Sequence, residues 1–304
     1  MSDEIIYSGI TDLRLAEAMS SEMMLLLADR AALPNHAALI YAGDAAGSGS
    51  KTIKIPHAGL MGYDLMTSPG DGTAVTNSVL VDGSTTVDVA LYSKSYEASD
   101  LAIVTGSGGI LDPVSFAADA VVTAAATLTS LIADVTDGFT ATVGTTTVNL
   151  TAAVFLEAIA TLEVAKVPAP YMAILHPQQW ADLRSDLATA SGGAIQWNVT
   201  REEISVRSEA YKGNFLGVDV FVSSHVPTAN AGDDRAGGMF GRGAIAFADS
   251  TMSADGADQM LVGSKVLFER SRTAKAGLTA YVSHSMIGVS MGIDACGVSI
   301  ITDA

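Results

Sequence analysis

Residues 112–138 read DPVSFAADAVVTAAATLTSLIADVTDG, and this stretch decides the fold. Val114, Ala118, Val121, Ala125, Leu128, Ile132 and Val135 recur at alternating steps of four and three, which draws one apolar stripe along a helix. Asp112 stands where an N-cap belongs, Pro113 takes the first helical position, where its missing N–H is not needed, and Gly138 closes the run. The spacing predicts a long helical spine over Asp112–Asp137, with Asp119 and Asp134 as solvated charges and not ligands.

The chain before the spine reads as extended. Thr52 to Pro56 and Thr85 to Leu91 alternate polar and apolar residues, and Asp82-Gly83 is a two-residue hairpin signal. Gly59, Gly62, Pro69, Gly70 and Gly72 lie between them, where the backbone turns freely. A long β-excursion with too few large apolar residues for a core of its own is expected over Gly43 to Ser95. Ahead of it, Leu15, Met19, Met23, Leu26 and Leu27 fall on one side of a helix over Thr11–Arg30, equally suited to core packing or to docking as an arm on a neighbour.

After the spine, a second helix is expected over Thr151–Lys166, with Phe155, Ile159 and Leu162 inward and Pro168 ending it. Tyr171 to Leu175 reads as a buried strand, His176-Pro177 as its turn, and Gln178 to Ala188 as a helix that packs Trp180, Leu183 and Leu187. Strands are expected at Val218–Ser223, Gly243–Ala248, Val262–Glu269, Leu278–Met291 and Val298–Ile301. No fixed-period repeat occurs, and the order of elements argues an α+β class.

Composition bounds the function. Among 304 residues 49% are hydrophobic and only 16% charged, against the roughly 25% charge of ordinary soluble domains. So few charges coat a free monomer poorly, and burial against copies of the same chain is the simplest remedy. A membrane is not the expected remedy, because no run of about 18 uninterrupted apolar residues occurs. The N-terminus carries acids where a secretory signal carries bases, so export by that route is not expected. The net charge of −17 offers no footprint for gripping phosphate. The single Cys296 excludes an intramolecular disulfide framework and reads as a small buried apolar residue.

Chemistry-bearing motifs fail on spacing. Tyr41 to Thr52, YAGDAAGSGSKT, places Ala45 and Ser50 where a phosphate loop needs glycines. Gly106-Ser107-Gly108-Gly109 lacks the hydrolase elbow spacing. His36, His57, His176, His225 and His284 are scattered, and three of them stand at or near prolines, which suggests turn positions. Asp233-Asp234 and the acids from Asp249 to Asp258 lack ordered calcium-loop spacing and read as solvated loop charge. The sequons at Asn149 and Asn198 would not be used in a cytoplasmic product. No catalytic, cofactor-binding or metal-ligating residue is assigned, no cofactor is expected, and the chain is not read as an enzyme.

In segment order the chain resembles the major capsid proteins of tailed bacteriophages with the Hong Kong 97 type fold. TVDVALYSKSYEASDLA (Thr86–Ala102) looks like the returning strand of that family's E-loop, and YMAILHPQQWADLRSD (Tyr171–Asp186) like the opening of its axial domain. GNFLGVDVFVSSHVP (Gly213–Pro227) resembles a later axial strand, and GRGAIAFAD (Gly241–Asp249) the return to the peripheral domain. The resemblance implies an N-terminal arm at 1–40, an E-loop hairpin at 41–98 and a peripheral domain with the long spine helix at 99–168. It places an axial domain at 169–240 and return strands at 241–304. Ser191 to Arg207 has no counterpart.

The resemblance further implies self-assembly into pentamers and hexamers of an icosahedral shell, which encloses double-stranded DNA without binding it specifically. Such a virion capsid assembles in the bacterial host cytoplasm, without a membrane, and scaffold, portal and cement proteins are its implied partners. Some members begin with a scaffolding segment that a protease removes; here an arm-like helix starts at Thr11, so a separate scaffold or none is expected. The prototype joins an E-loop lysine to a peripheral-domain asparagine. This chain has Lys51, Lys54 and Lys94 near the loop's base but no asparagine after Asn230, so non-covalent shell contacts are expected. Two rival readings stay open. One is an encapsulin, a compartment of the same fold that binds cargo enzymes, and the other an adhesin or tail fibre rich in alanine, glycine and threonine.

Overall fold

The computed structural model describes residues 36–58, 71, 82–101, 113–190, 210–254, 259–262 and 265–303. The expected helix over Thr11–Arg30, the Asp112 cap, the Gly59–Gly70 turns and the Ser191–Arg207 insertion lie outside the described residues.

The spine forms as its spacing predicts. Helix α1 (Pro113–Thr136) buries Val121, Ala125 and Ile132, with Leu128 and Val135 partly buried against the core that holds Ile132. Its first half lies over one β-sheet, where Ala120 and Ala124 face Ser283 and Ser285. Its last turn lies on a second sheet, where Ser299 Oγ donates to the Thr136 carbonyl. By length and composition the Asp119–Thr136 stretch is apolar enough to cross a membrane. In the fold 33% of that stretch is buried, on the side that meets the two sheets.

The first sheet has six strands in the order β1 (Leu39–Asp44), β11 (Ile245–Asp249), β14 (Leu278–Met291), β13 (Val266–Thr273) and β12 (Gln259–Val262), with β4 (Ala90–Ser99) also on β14. β14 organises it. Leu278–Ile287 pairs antiparallel with β4, Leu278–Ser285 with β13 on the other edge, and Ile287–Met291 with β11. From Leu278 to Ile287 its burial alternates strictly, because every second side chain faces α1. The expected single strand Val262–Glu269 is corrected: β12 and β13 are two arms of a hairpin that turns between Val262 and Val266.

The second sheet has seven strands in the order β5 (Thr142–Val143), β15 (Gly297–Asp303), β10 (Asp234–Phe240), β6 (Tyr171–Leu175), β8 (Val218–Val222) and β7 (Tyr211–Phe215), with β9 (Thr228–Ala229) on β10. Helices α2 (Ala152–Val164) and α3 (Pro177–Ala190) cover it. Thr151 caps α2 by accepting from the Val154 N–H, and α2 closes with Lys166 left-handed at φ 58 while the Val167 N–H reaches the Leu162 carbonyl. β5 pairs with β15, so the chain reaches the second sheet soon after the end of α1.

One apolar core joins the sheets, running from Leu39, Ile245 and Phe247 past Ile132 to Phe155, Leu162, Ile174, Trp180, Phe240 and Ile300. Each fully buried large side chain in it contributes about 1.5–3 kcal/mol.

Candidate assembly surface

A two-stranded hairpin, β2 (Thr52–Ala58) with β3 (Asp82–Asp88), stands on the first sheet. Val87 is fully buried on Ala246 and Ala248, and Ile53, Ile55 and Val89 complete a small separate core with Ile40 and Ala42. Gly288 makes the approach possible, since a Cβ there would lie 2.3 Å from the Asp88 carbonyl oxygen. Thr52 Oγ1 donates to Asp88 at 2.5 Å, and the Val89 N–H to the Lys51 carbonyl at 2.9 Å. The hairpin therefore has a fixed root.

Two expectations fail at this root. Asp82-Gly83 is not a turn: both residues are in β3, opposite Ala58 and His57, and the connection between the strands falls in 59–81. The dipeptide matched the turn signal, but seven consecutive cross-strand pairs keep it extended. His57 is likewise a strand residue and not a turn residue.

Charge pairs tie the hairpin's neighbours together. Lys94 Nζ on β4 donates to Asp119 on α1 at 2.8 Å and to Thr123 Oγ1 at 2.9 Å, and the Tyr96 hydroxyl donates to the same carboxylate. Asp119 is thus an anchor between helix and sheet, not a merely solvated charge. The Lys94 ammonium and then the Tyr96 hydroxyl hold its carboxyl below the usual range, and Asp119 in turn raises Lys94. Asp134 behaves as expected, exposed, with its carboxyl pushed up by partial burial and then by Asp137.

A second cluster closes the parallel pair of β1 and β11. Asp44 and Asp249 stand directly opposite, and Lys265 lies between them at 3.9 Å and 2.6 Å. The Tyr41 hydroxyl donates to Asp249 at 2.7 Å, and burial followed by that carboxylate raises its own pKa. Thr251 and the Ala46 N–H hold Asp44 down at about 2. The near-miss phosphate loop is therefore a strand end followed by an Asp44-capped turn. Asp249 and Asp234 also correct the reading of loop charge. Asp234 opens β10, fully buried, and accepts from the Thr147 N–H at 3.2 Å.

In the second sheet, fully buried Gln179 carries the polar work that sequence reading missed. Its Oε1 accepts from the His176 N–H at 3.0 Å, and its Nε2 faces Arg235 O, Ile300 O and Thr302 Oγ1 at 3.1, 3.2 and 2.9 Å. One amide thus ties α3 to the turn after β6 and to β10 and β15. His36 Nδ1 accepts from the Ala38 N–H, which leaves the proton on Nε2 to donate to Asp219 at 3.0 Å. Burial raises the Cys296 thiol, as befits an inert buried residue. Among the described residues no group of three or more His, Cys, Asp or Glu side chains could hold a metal ion.

The described surface also presents large apolar groups. Leu91, Leu156, Val164 and Leu216 are exposed large side chains with no role in either core.

No protein-family model matches the chain and no curated protein matches it. Solved structures do. The capsid of Ralstonia phage GP4 superposes with a TM-score of 0.59 at 12% identity, covering 86% of this chain and 85% of that one. The capsid subunit of cyanophage Pam1 gives 0.56 at 15% identity over 91% and 93%. The holo-SrpI encapsulin complex of Synechococcus elongatus PCC 7942 gives 0.56 at 13% identity over 87% and 85%. The fold is therefore the one shared by these phage capsid and encapsulin subunits. In particular it is the Hong Kong 97 type, an α+β fold with a spine helix and a rooted hairpin.

Proposed function

We propose that this chain is a shell subunit, the major capsid protein of a tailed bacteriophage, which assembles with copies of itself around double-stranded DNA. The observation that carries the reading is the mutual coverage: the Pam1 capsid chain is matched over nearly its whole length by nearly the whole of this chain. In this reading the six-stranded sheet with α1 is the peripheral domain and the seven-stranded sheet the axial domain. The β2–β3 hairpin is the root of the E-loop, whose expected span of 41–98 narrows because β1 and β4 belong to the sheet beneath.

An encapsulin-type compartment is the second reading, favoured by the SrpI likeness, which equals that of Pam1 in TM-score. Particles purified from cells that make the whole gene cluster separate the two. Nuclease-protected double-stranded DNA and a portal vertex support the phage capsid, and stoichiometric co-purifying enzyme supports the compartment. Scaffold, portal and cement proteins belong to the first outcome. The virion is then the location, reached by assembly in the host cytoplasm.

A further inference from the structure

We propose that an apolar patch formed by Leu216 with Leu156, Ala160 and Val164 docks on a second copy of this chain, on the outer face of that copy's α3 around Arg184. The inference rests on the shell reading and adds the surface through which copies meet.

The first observation is backbone strain. The β7–β8 connection is the two-residue turn Leu216-Gly217, with φ 53 and φ 84. Both central residues are left-handed, a geometry that favours asparagine or glycine and opposes a bulky side chain. Asn214 Oδ1 accepts the Gly217 N–H at 3.0 Å, so the turn is held tightly. Leu216 is nevertheless 55% exposed, a large apolar side chain set at a strained turn facing solvent. A strained residue that presents an apolar side chain to solvent points to a contact outside the subunit.

The second observation is independent and lies on α2. A surface helix normally turns a polar face outward. Here the inner face buries Phe155, Ala158, Ile159 and Leu162, while Ala153, Leu156, Ala160 and Val164 form an outer stripe at steps of three and four. Leu156 is 49% and Val164 83% exposed. The rings of Phe155 and Phe215 lie 5.3 Å apart, so the strand that leads into the Leu216 turn packs against the inner face of α2.

Charge selects the occupant. The stripe is edged by the exposed acids Glu157 and Glu163. The chain itself carries a matching surface on α3, where Ala181, Arg184 and Ala188 are exposed on one face and Arg184 has no ion pair among the described residues. Small apolar residues around one cation fit large apolar residues edged by acids. The two surfaces differ, so the contact runs head to tail, which builds rings or open arrays rather than closing a dimer.

The test uses the full chain and follows assembly by light scattering and the unassembled subunit by thermal melting. Leu216→Asn suits the left-handed turn, so it raises the subunit's melting temperature by about 2–4 °C while raising the concentration needed for assembly about tenfold or more. Leu156→Gln weakens assembly similarly without that gain. Arg184→Glu weakens it too, and adding Glu157→Arg restores part of the loss. Variants that assemble at the wild-type concentration overturn this inference alone. A defect confined to binding a different protein, with self-assembly intact, also overturns it. Wild-type protein that never forms particles overturns the shell reading and this inference with it.

Discussion

Lys94 Nζ on β4 and the Asp119 carboxylate on α1 meet at 2.8 Å, so the strand that returns from the hairpin is tied to the spine helix by charge as well as by packing. The two side chains are 36% and 43% exposed, which limits the pair to about 1 kcal/mol or less. The lowered Asp119 carboxyl stabilises fully above its ordinary pKa and loses that contribution as pH falls through its folded value. The raised Lys94 contributes fully below the ordinary lysine pKa and loses its share as pH rises through its folded value. Asp119→Asn should therefore lower the subunit's melting temperature by a constant small amount from about pH 5 to pH 9, with the difference vanishing in strong acid. A difference that persists unchanged in acid would contradict this account of the pair.

Gln179 offers a sharper test, because its amide is fully buried. Gln179→Leu keeps the approximate volume but leaves the His176 N–H and the Thr302 hydroxyl without their partner. Urea denaturation of the unassembled subunit should register a loss of about 3 kcal/mol. A loss under about 1 kcal/mol would mean that water replaces the amide freely.

Trp180 packs from α3 into the main core, as its helical spacing predicts. Trp180→Ala should cost about 3–5 kcal/mol, read from the same urea curves. An unchanged midpoint would reject the burial.

The helices and the long strands were legible in the sequence because their apolar periods are unbroken: α1, α2, α3 and β14 form where the spacing places them. β10 was not legible. Its DRAGGMF carries two glycines, which ordinarily weaken a strand, yet they are what lets it sit at the sheet's centre. A Cβ on Gly237 would lie 2.7 Å from Gln179 Oε1, and one on Gly238 2.4 Å from Thr136 Cβ. The exposed patch was also hidden, since Leu156, Val164 and Leu216 read as ordinary apolar residues until the chain is folded. Lys94, Asp119 and Gln179 escaped for the same reason: apart from His176, their partners lie 23 to 123 residues away in sequence.

Those glycines carry their own prediction. Gly238→Ala drives a methyl into Thr136 at the junction of α1 and the second sheet, and should cost about 1–3 kcal/mol in a subunit that still folds. Wild-type stability in the melting curve would show that α1 yields at no cost.

Covalent cross-linking is not expected of the assembled particles. Lys94 is committed to Asp119, and no asparagine follows Asn230. Boiled, denatured particles should run as one band near 31.1 kDa. A ladder of oligomers would identify an acceptor that this chain was not expected to supply.

The claim that this chain is a shell subunit is tested most directly by sedimentation velocity of the purified full-length protein over a range of concentrations. A fast boundary of uniform closed particles or ring-shaped capsomers is expected, growing with concentration at the expense of free subunit. A single slow boundary at the 31.1 kDa monomer, unchanged up to the highest concentration, would contradict it.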